Sequence, residues 1–135
     1  MSLRDKFTGT GIAIVTPFLE DGKIDWERFS NLIEFWIKGQ VEYLVVLGTT
    51  GESATVHGAE KQEVFSFVAR EVAGRRPLVA GIGGSDTQQV LHDYRSFDLT
   101  GYDAILTASP AYNKPIQEWI FQHYNTLDAA ALLPI

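Results

Sequence analysis

The stretch of this sequence best suited to chemistry is residues 47–53, which read Leu-Gly-Thr-Thr-Gly-Glu-Ser. It follows an apolar run at residues 43–47 that predicts a buried strand, and a helical pattern begins near residue 59. The two glycines allow backbone N–H groups to turn toward one point, and the hydroxyls of Thr49 and Thr50 lie between them. The stretch therefore predicts a site that donates hydrogen bonds to a small anion. The alternative interpretation is an ordinary tight turn from a strand into a helix.

The composition is that of a single globular domain, residues 1–135, with an acidic charge balance. The chain holds 11 Lys and Arg against 17 Asp and Glu, a formal net charge of −6, and the basic residues are scattered. This balance argues against nucleic acid and anionic membranes as partners. No run of about 18 apolar residues occurs, and the first residues contain no apolar stretch typical of a signal peptide.

Metal and cofactor chemistry finds no support in the residue types present. The chain has no cysteine, which excludes disulfides and thiolate metal sites and fits a cytoplasmic location. His57, His92 and His123 are far apart and show no metal-ligand spacing, so each is interpreted as a surface or packing histidine. We expect neither a bound metal nor a cofactor.

Five apolar runs, beginning near residues 11, 42, 78, 102 and 132, alternate with amphipathic helical patterns. Such alternation predicts an α/β protein with a parallel sheet, either a doubly wound sheet or a (β/α)8 TIM barrel. The glycine-rich turn of a doubly wound nucleotide binder is absent after the first run, and residues 81–84 are interpreted as a turn and a helix start. The barrel is favoured. Because a full barrel needs about 250 residues, we expect an N-terminal half: four βα units and the start of strand five.

Several boundaries follow from local residue types. The run at residues 11–16 is almost continuously apolar, which predicts a strand buried on both faces. Asp25 and Asp86 are predicted to cap the first and third helices, which are expected to end at Gly39 and Gly101. The second helix is expected to close at Gly74, and the fourth carries an apolar face from Ile116 through Ile120 and Tyr124 to Leu127. Strand four is predicted at residues 102–107.

Motifs along the whole chain resemble the dihydrodipicolinate synthase and N-acetylneuraminate lyase family of (β/α)8 aldolases. They are Phe7-Thr-Gly, Ile14-Val-Thr-Pro17, Asp21-Gly22 with Ile24-Asp25, Gly48-Thr-Thr-Gly-Glu-Ser53, and Pro110-Ala-Tyr-Asn-Lys-Pro115 with Gln117-Glu118 and Gln122-His-Tyr124. Within the family, Gly-Thr-Thr-Gly-Glu-Ser and Tyr-Asn-Lys-Pro look like the synthases. The sialic acid lyases typically carry serine at the position of Thr49 and lack the Asn-Lys-Pro step. Another pyruvate-dependent aldolase of the same family is the alternative.

The resemblance implies a reaction in which a lysine forms a Schiff base with pyruvate, whose methyl carbon then adds to aspartate semialdehyde. Thr49 and Thr50 match the threonines that bind the pyruvate carboxylate. Thr49 and Tyr112 match members of a proton relay, and the tyrosine reaches across a dimer interface into the neighbouring site. The resemblance therefore implies a homo-oligomer. For Glu52 we expect only a turn-stabilising carboxylate near a helix start.

The Schiff-base lysine is expected to be absent from these residues. Such a lysine needs a lowered pKa and a place inside the barrel, whereas all five lysines belong to predicted helices, turns or loops; they are Lys6, Lys23, Lys38, Lys61 and Lys114. The resemblance implies that this lysine and a second relay tyrosine follow Ile135, so the chain alone is expected to be inactive. The positions of the family's lysine-inhibition pocket hold Ala111, Gly58, Ser85 and Gln89, which gives no support for feedback inhibition by lysine.

A second hypothesis is that the chain is a non-catalytic assembly unit. Four strands with helices on one side leave the barrel-inner face open. Its apolar residues form a patch larger than monomers usually expose, so we expect an oligomer.

Overall fold

A computed structural model describes residues 2–112 and 114–135, in which short parallel strands alternate with helices. The strands are β1 (Gly11–Ala13), β2 (Tyr43–Val46), β3 (Leu78–Gly81) and β4 (Ala104–Leu106). The helices are α1 (Leu3–Lys6), α2 (Trp26–Lys38), α3 (Gly58–Val72), α4 (Thr87–Ser96) and α5 (Gln117–Ala130). A 3-10 turn, Thr49–Gly51, follows β2. None of the helices in the described ranges is long and apolar enough to cross a membrane.

The sheet has four parallel strands in the order β1-β2-β3-β4, which confirms the predicted α/β class. Each strand pairs with the next one along the chain, whereas a doubly wound sheet reverses its order at a switch point. Beyond β4, the Ile105 N–H donates to the Pro134 carbonyl at 2.8 Å. The residues predicted to start a fifth strand therefore lie along the β4 edge.

Residues in register share a face of the sheet, and the two faces differ sharply in burial. On one face the side chains are buried beneath the helices; they include Ile14, Leu44, Val46, Leu78, Ala80 and Ile105. On the other face Val15 is 42% exposed and Leu106 is 51% exposed, whereas Val79 of the inner strand β3 is 7% exposed. We call these the covered face and the open face.

The helices form where capping residues and apolar spacing predicted them. The Asp25 carboxylate accepts a hydrogen bond from the Arg28 N–H at 2.9 Å, and α2 ends at Gly39. The Asp86 carboxylate caps α4 in the same way. Phe65 of α3 is fully buried and packs edge-on against Phe97 and Tyr102, with ring centroids 5.4 and 5.3 Å away. These contacts attach α3 to the segment that leads from α4 into β4.

Several predicted boundaries were wrong. The ladder of strand one covers only Gly11–Ala13, and Val15 on the open face is 42% exposed, so the run is not buried on both faces. Strand four is Ala104–Leu106 rather than residues 102–107. The third predicted helix ends at Ser96 rather than at Gly101, since Phe97 turns into extended backbone and packs against Phe65.

The last helix and the glycine run also differ from the prediction. Along α5 the buried side chains are His123 and Leu127, whereas Ile116, just before the helix, is 58% exposed. The predicted apolar face is therefore rotated so that a histidine, rather than Ile116, faces the core. Gly81 is the last residue of β3, so the glycine run at residues 81–84 begins inside a strand.

A short amino-terminal helix that the sequence did not predict lies across the beginning of the sheet. Ser2 and Asp5 cap α1 reciprocally, through the Ser2 hydroxyl and the Asp5 carboxylate. Lys6 forms an ion pair with Asp103, whose other oxygen accepts a hydrogen bond from the Leu78 N–H at 2.9 Å. These contacts hold α1 against the amino-terminal ends of β3 and β4.

Candidate active site

A cavity of about 350 Å³ opens where β2, β3 and β4 end. Its walls come from the three connections that follow these strands, and Leu106 of the open face forms part of its floor. The residues are Leu47, Gly48, Thr49, Ser53, Gly81, Ile82, Gly83, Gly84, Ser85, Leu106, Thr107, Ala108, Ser109 and Ala111. None of these described residues carries a charged side chain. An anion bound there would depend on backbone N–H and hydroxyl donors.

The turn after β2 presents such donors. Leu47 adopts left-handed backbone with φ 55°, and the chain then forms the 3-10 turn Thr49–Gly51. The turn is closed by the Gly51 N–H, which donates to the Gly48 carbonyl at 3.0 Å. Within the described ranges, the N–H groups of Gly48, Thr49 and Thr50 donate to no acceptor. The first amides of such a turn are left without internal partners and are able to bind an external oxygen.

Thr16 fixes this turn from the neighbouring strand. Its side chain is 5% exposed, and its hydroxyl donates to the Gly51 carbonyl at 2.7 Å. A buried hydroxyl with a single well-placed acceptor holds the turn against the end of the β1 segment. The motif is therefore anchored in the core and is not a loose surface loop.

The segment that carries Tyr112 is attached to the cavity by two serines. The Ala111 N–H donates to the Ser85 hydroxyl at 3.2 Å, and the Ser109 and Tyr124 hydroxyls are 3.1 Å apart. Tyr112 itself is 92% exposed and is not among the residues that line the cavity. Its neighbour Asn113 lies outside the described residues.

A buried polar contact joins the two helices behind this segment. The Nδ1 atom of His123 in α5 lies 2.8 Å from the Thr87 hydroxyl at the start of α4. Burial lowers the pKa of His123, and the backbone of Ala108 acts in the opposite direction. Burial also raises the pKa of Tyr94, on the inward side of α4. Its burial and its contact with Thr87 make His123 a packing histidine, one of the two interpretations that its sequence context allowed.

The structure brings some of the predicted site residues together and separates others. Thr49 and Thr50 share one turn, but only Thr49 lines the cavity. Tyr112 does not line the cavity, although its neighbour Ala111 does. The predicted turn-stabilising Glu52 is exposed and adopts left-handed backbone, φ 56°, at the end of the 3-10 turn.

The lysines lie outside the sheet, as their sequence context predicted. Lys6, Lys38 and Lys61 are in helices, and Lys23 and Lys114 are in connecting segments. Within the part of the chain that the structure describes, no group of three or more His, Cys, Asp or Glu side chains could hold a metal ion. Of the four positions that depart from the lysine-inhibition pocket, Ser85 and Ala111 line the cavity, whereas Gly58 begins α3 and Gln89 is exposed on α4.

The sequence analysis missed three residues that shape the site. The sequence predicts only the end of a strand at Thr16, marks Ser85 only as a departure from a family pattern, and does not single out Ser109. A signal was available for Thr16, because a hydroxyl residue at the end of an apolar strand run lies at the edge where parallel strands place their sites. The hydrogen bonds of the two serines join segments that are distant in the sequence, so no local pattern indicates them.

Comparison with known proteins gives consistent matches. A model of the dihydrodipicolinate synthetase family matches residues 6–135. The 4-hydroxy-tetrahydrodipicolinate synthase of Flavobacterium psychrophilum is 44% identical over 129 residues, which are 96% of this chain and 44% of that protein. The enzyme of the same name from Bacillus subtilis is 37% identical over 129 residues, which are 96% of this chain and 44% of that protein. The crystal structure of dihydrodipicolinate synthase from Aquifex aeolicus superposes with a TM-score of 0.88 and 37% identity, over 96% of this chain and 44% of that one. The chain thus spans less than half the length of the relatives it matches.

Proposed function

Because the chain belongs to the dihydrodipicolinate synthetase family, a family of TIM-barrel proteins, we propose that it forms the amino-terminal half of a barrel that condenses pyruvate with aspartate semialdehyde. The observation that carries the proposal is the cavity at the ends of β2, β3 and β4, with the donor turn on its wall. Barrel enzymes place their active sites at this end of the strands. The names of the relatives favour this condensation over sialic acid cleavage.

The turn is proposed to bind the carboxylate of pyruvate. The N–H groups of Thr49 and Thr50 and the two hydroxyls supply the donors, and the uncharged, partly enclosed cavity strengthens each hydrogen bond to an anion. Thr49 is the stronger candidate for contact because it lines the cavity, and Thr50 completes the turn beside it.

Tyr112 is proposed to act in a proton relay with Thr49 across an interface between two subunits. Its side chain is 92% exposed and does not contact the cavity of its own chain, as expected of a residue that serves a neighbouring site. The Ser85 and Ser109 hydrogen bonds hold the start of its loop. The proposal therefore includes a homo-oligomer, which we place in the cytoplasm.

The Schiff-base lysine is proposed to come from residues outside this sequence. A class I aldolase lysine must be desolvated to lose its proton near neutral pH. The lysine positions in helices and connecting segments do not offer such a site within the sheet. The 135-residue chain alone is therefore expected to hold a carboxylate without forming the carbon–carbon bond.

Titration of the isotope-labelled chain with pyruvate tests the binding half of the proposal. We expect amide NMR shifts centred on Gly48, Thr49 and Thr50. The Thr49→Val variant should bind at least about threefold more weakly, since one hydroxyl donor to a charged group is lost. Thr126→Val, an exposed helix position, is the matched control and should bind as the parent does. Shifts that avoid this turn would contradict the proposed site.

Two assays test the catalytic half. Incubation with pyruvate and borohydride should leave the intact mass of the chain unchanged, and the condensation assay should give no turnover above the blank. A trapped adduct on any of the five lysines, or measurable turnover, would show that the nucleophile lies within these residues.

The open face favours a second candidate function, a non-catalytic assembly unit. Val15 and Leu106 expose apolar surface on a sheet that is unpartnered in the described structure. Such surface favours association. If residues 1–135 fold as one domain, the chain should unfold cooperatively and sediment as an oligomer. Leu106→Lys should shift it toward monomer, whereas Leu19→Lys, 47% exposed in the turn after Pro17, should not. A parent chain that remains monomeric at every concentration would exclude this candidate.

A further inference from the structure

Gly81 occupies a place in β3 that no other residue could fill without moving the candidate carboxylate turn. It lies on the open face, in register with Leu106. A Cβ atom built on Gly81 would lie 2.4 Å from the Leu47 carbonyl oxygen, 2.6 Å from its carbon and 2.7 Å from the Gly48 nitrogen. All three are backbone atoms, so the conflict could not be relieved by a side-chain rotation.

The close approach depends on the backbone of Leu47. Its φ of 55° is a left-handed conformation that is unfavourable for a residue with a Cβ. The side chain nevertheless stays in the core, at 1% exposure, while the carbonyl lies against β3. The left-handed turn at Leu47 and the missing side chain at Gly81 are therefore two parts of one packing arrangement.

A weaker constraint acts on the other end of the turn. A Cβ on Gly51 would lie 3.2 Å from the Ile14 carbonyl oxygen and 3.5 Å from the Thr16 hydroxyl. The same glycine accepts the 2.7 Å hydrogen bond from Thr16 through its carbonyl. The turn is thus confined between β3 on one side and the end of the β1 segment on the other.

We propose that Gly81 is a positioning residue for the carboxylate turn. The lack of a side chain there lets Leu47 direct the Gly48, Thr49 and Thr50 amides toward one point over the cavity. Where it concerns the ligand, this inference rests on the proposed function. The steric relation between Gly81 and Leu47 is independent of it.

The test compares three Gly→Ala variants of the chain. None of the three glycines has a positive φ, so alanine is compatible with each backbone conformation and only the contacts differ. The control is Gly58→Ala at the exposed start of α3, outside the cavity lining, where an added Cβ would meet no atom within 4 Å. The readouts are the amide NMR shifts of Gly48–Thr50 without ligand, and the dissociation constant for pyruvate. Circular dichroism reports whether each variant folds.

Gly81→Ala should move the three amide signals and weaken pyruvate binding by roughly tenfold or more, the loss of a charge-assisted hydrogen bond. Gly51→Ala should have a smaller effect, and Gly58→Ala should match the parent. Parent-like shifts and affinity in Gly81→Ala would overturn the inference, as would an equal loss in Gly58→Ala. If Gly81→Ala does not fold, Gly51→Ala decides, and unchanged turn signals in it would overturn the inference. If the parent does not bind pyruvate, the proposed function fails, while the ligand-free shifts still test the role of Gly81.

Discussion

The covered and open faces of the sheet are built from alternating residues of the same four strands, yet they have different environments. Ile105 on the covered face is 4% exposed, and its neighbour Leu106 on the open face is 51% exposed. Both are large and apolar, so their side chains alone do not tell which face is buried. The helices bury one face and thereby stabilise the fold, whereas the open face leads directly into the cavity and offers surface for a partner.

The same contrast applies to polar groups. On the covered side, the buried Thr16 hydroxyl and the Nδ1 atom of the buried His123 ring are hydrogen-bonded within the chain. At the end of the open face, Thr49 is exposed and its amide donates to no acceptor in the described residues. Donors that are satisfied internally support the structure, and donors left unsatisfied beside a cavity are available to a ligand.

The largest expected difference between the faces is in core stability. Ile105→Ala should lower the free energy of unfolding by about 2–5 kcal/mol, because it leaves a cavity beneath the helices. Leu106→Ala, one residue along the same strand, should lower it by less than about 1 kcal/mol. Urea denaturation followed by circular dichroism measures both. Equal losses would mean that the open face is covered in solution.

Thr16 tests whether the covered side supports the site. Thr16→Val should lower the free energy of unfolding by about 1–3 kcal/mol, since the Gly51 carbonyl loses its buried donor. It should also move the amide signals of Thr49 and Thr50. Thr126→Val on the exposed side of α5 is the control. If the two variants respond identically, Thr16 does not hold the turn in place.

The smallest expected effect concerns pH. Burial lowers the pKa of His123 in the folded chain below the ordinary value of about 6.5, so the unfolded chain binds the proton more readily. The contribution of His123 to the free energy of unfolding is complete above about pH 6.5 and is lost as the pH falls through the lowered pKa of this histidine. Urea midpoints between about pH 5.5 and 7 should show this decline.

The decline should shrink in His123→Gln and persist in His92→Gln, whose histidine is exposed on α4. Both variants should retain the helical signal at pH 7. If the decline of the urea midpoint with falling pH disappears equally in both variants, it does not arise from the burial of His123 between α4 and α5.

Much of the fold could be predicted because its signals are local. Asp25 and Asp86 cap helices through bonds to amides within three residues, and the apolar spacing of α2 and α3 marks the faces that they bury. The boundary of α4 could not be predicted in the same way. Its end at Ser96 depends on the contact between Phe97 and Phe65, which are far apart in the sequence.

The sequence by itself determined the alternation of strands and helices, the capped helix starts and the motif from Gly48 to Ser53, because these depend on short-range propensity and spacing. The tertiary structure decided which face of each strand is buried, that Thr49 rather than Thr50 lines the cavity, and that Gly81 lies against Leu47. Those outcomes depend on contacts between segments that are distant in the sequence; Leu47 and Gly81, for example, are 34 residues apart. Loop geometry and close packing, rather than local preference, fix such positions.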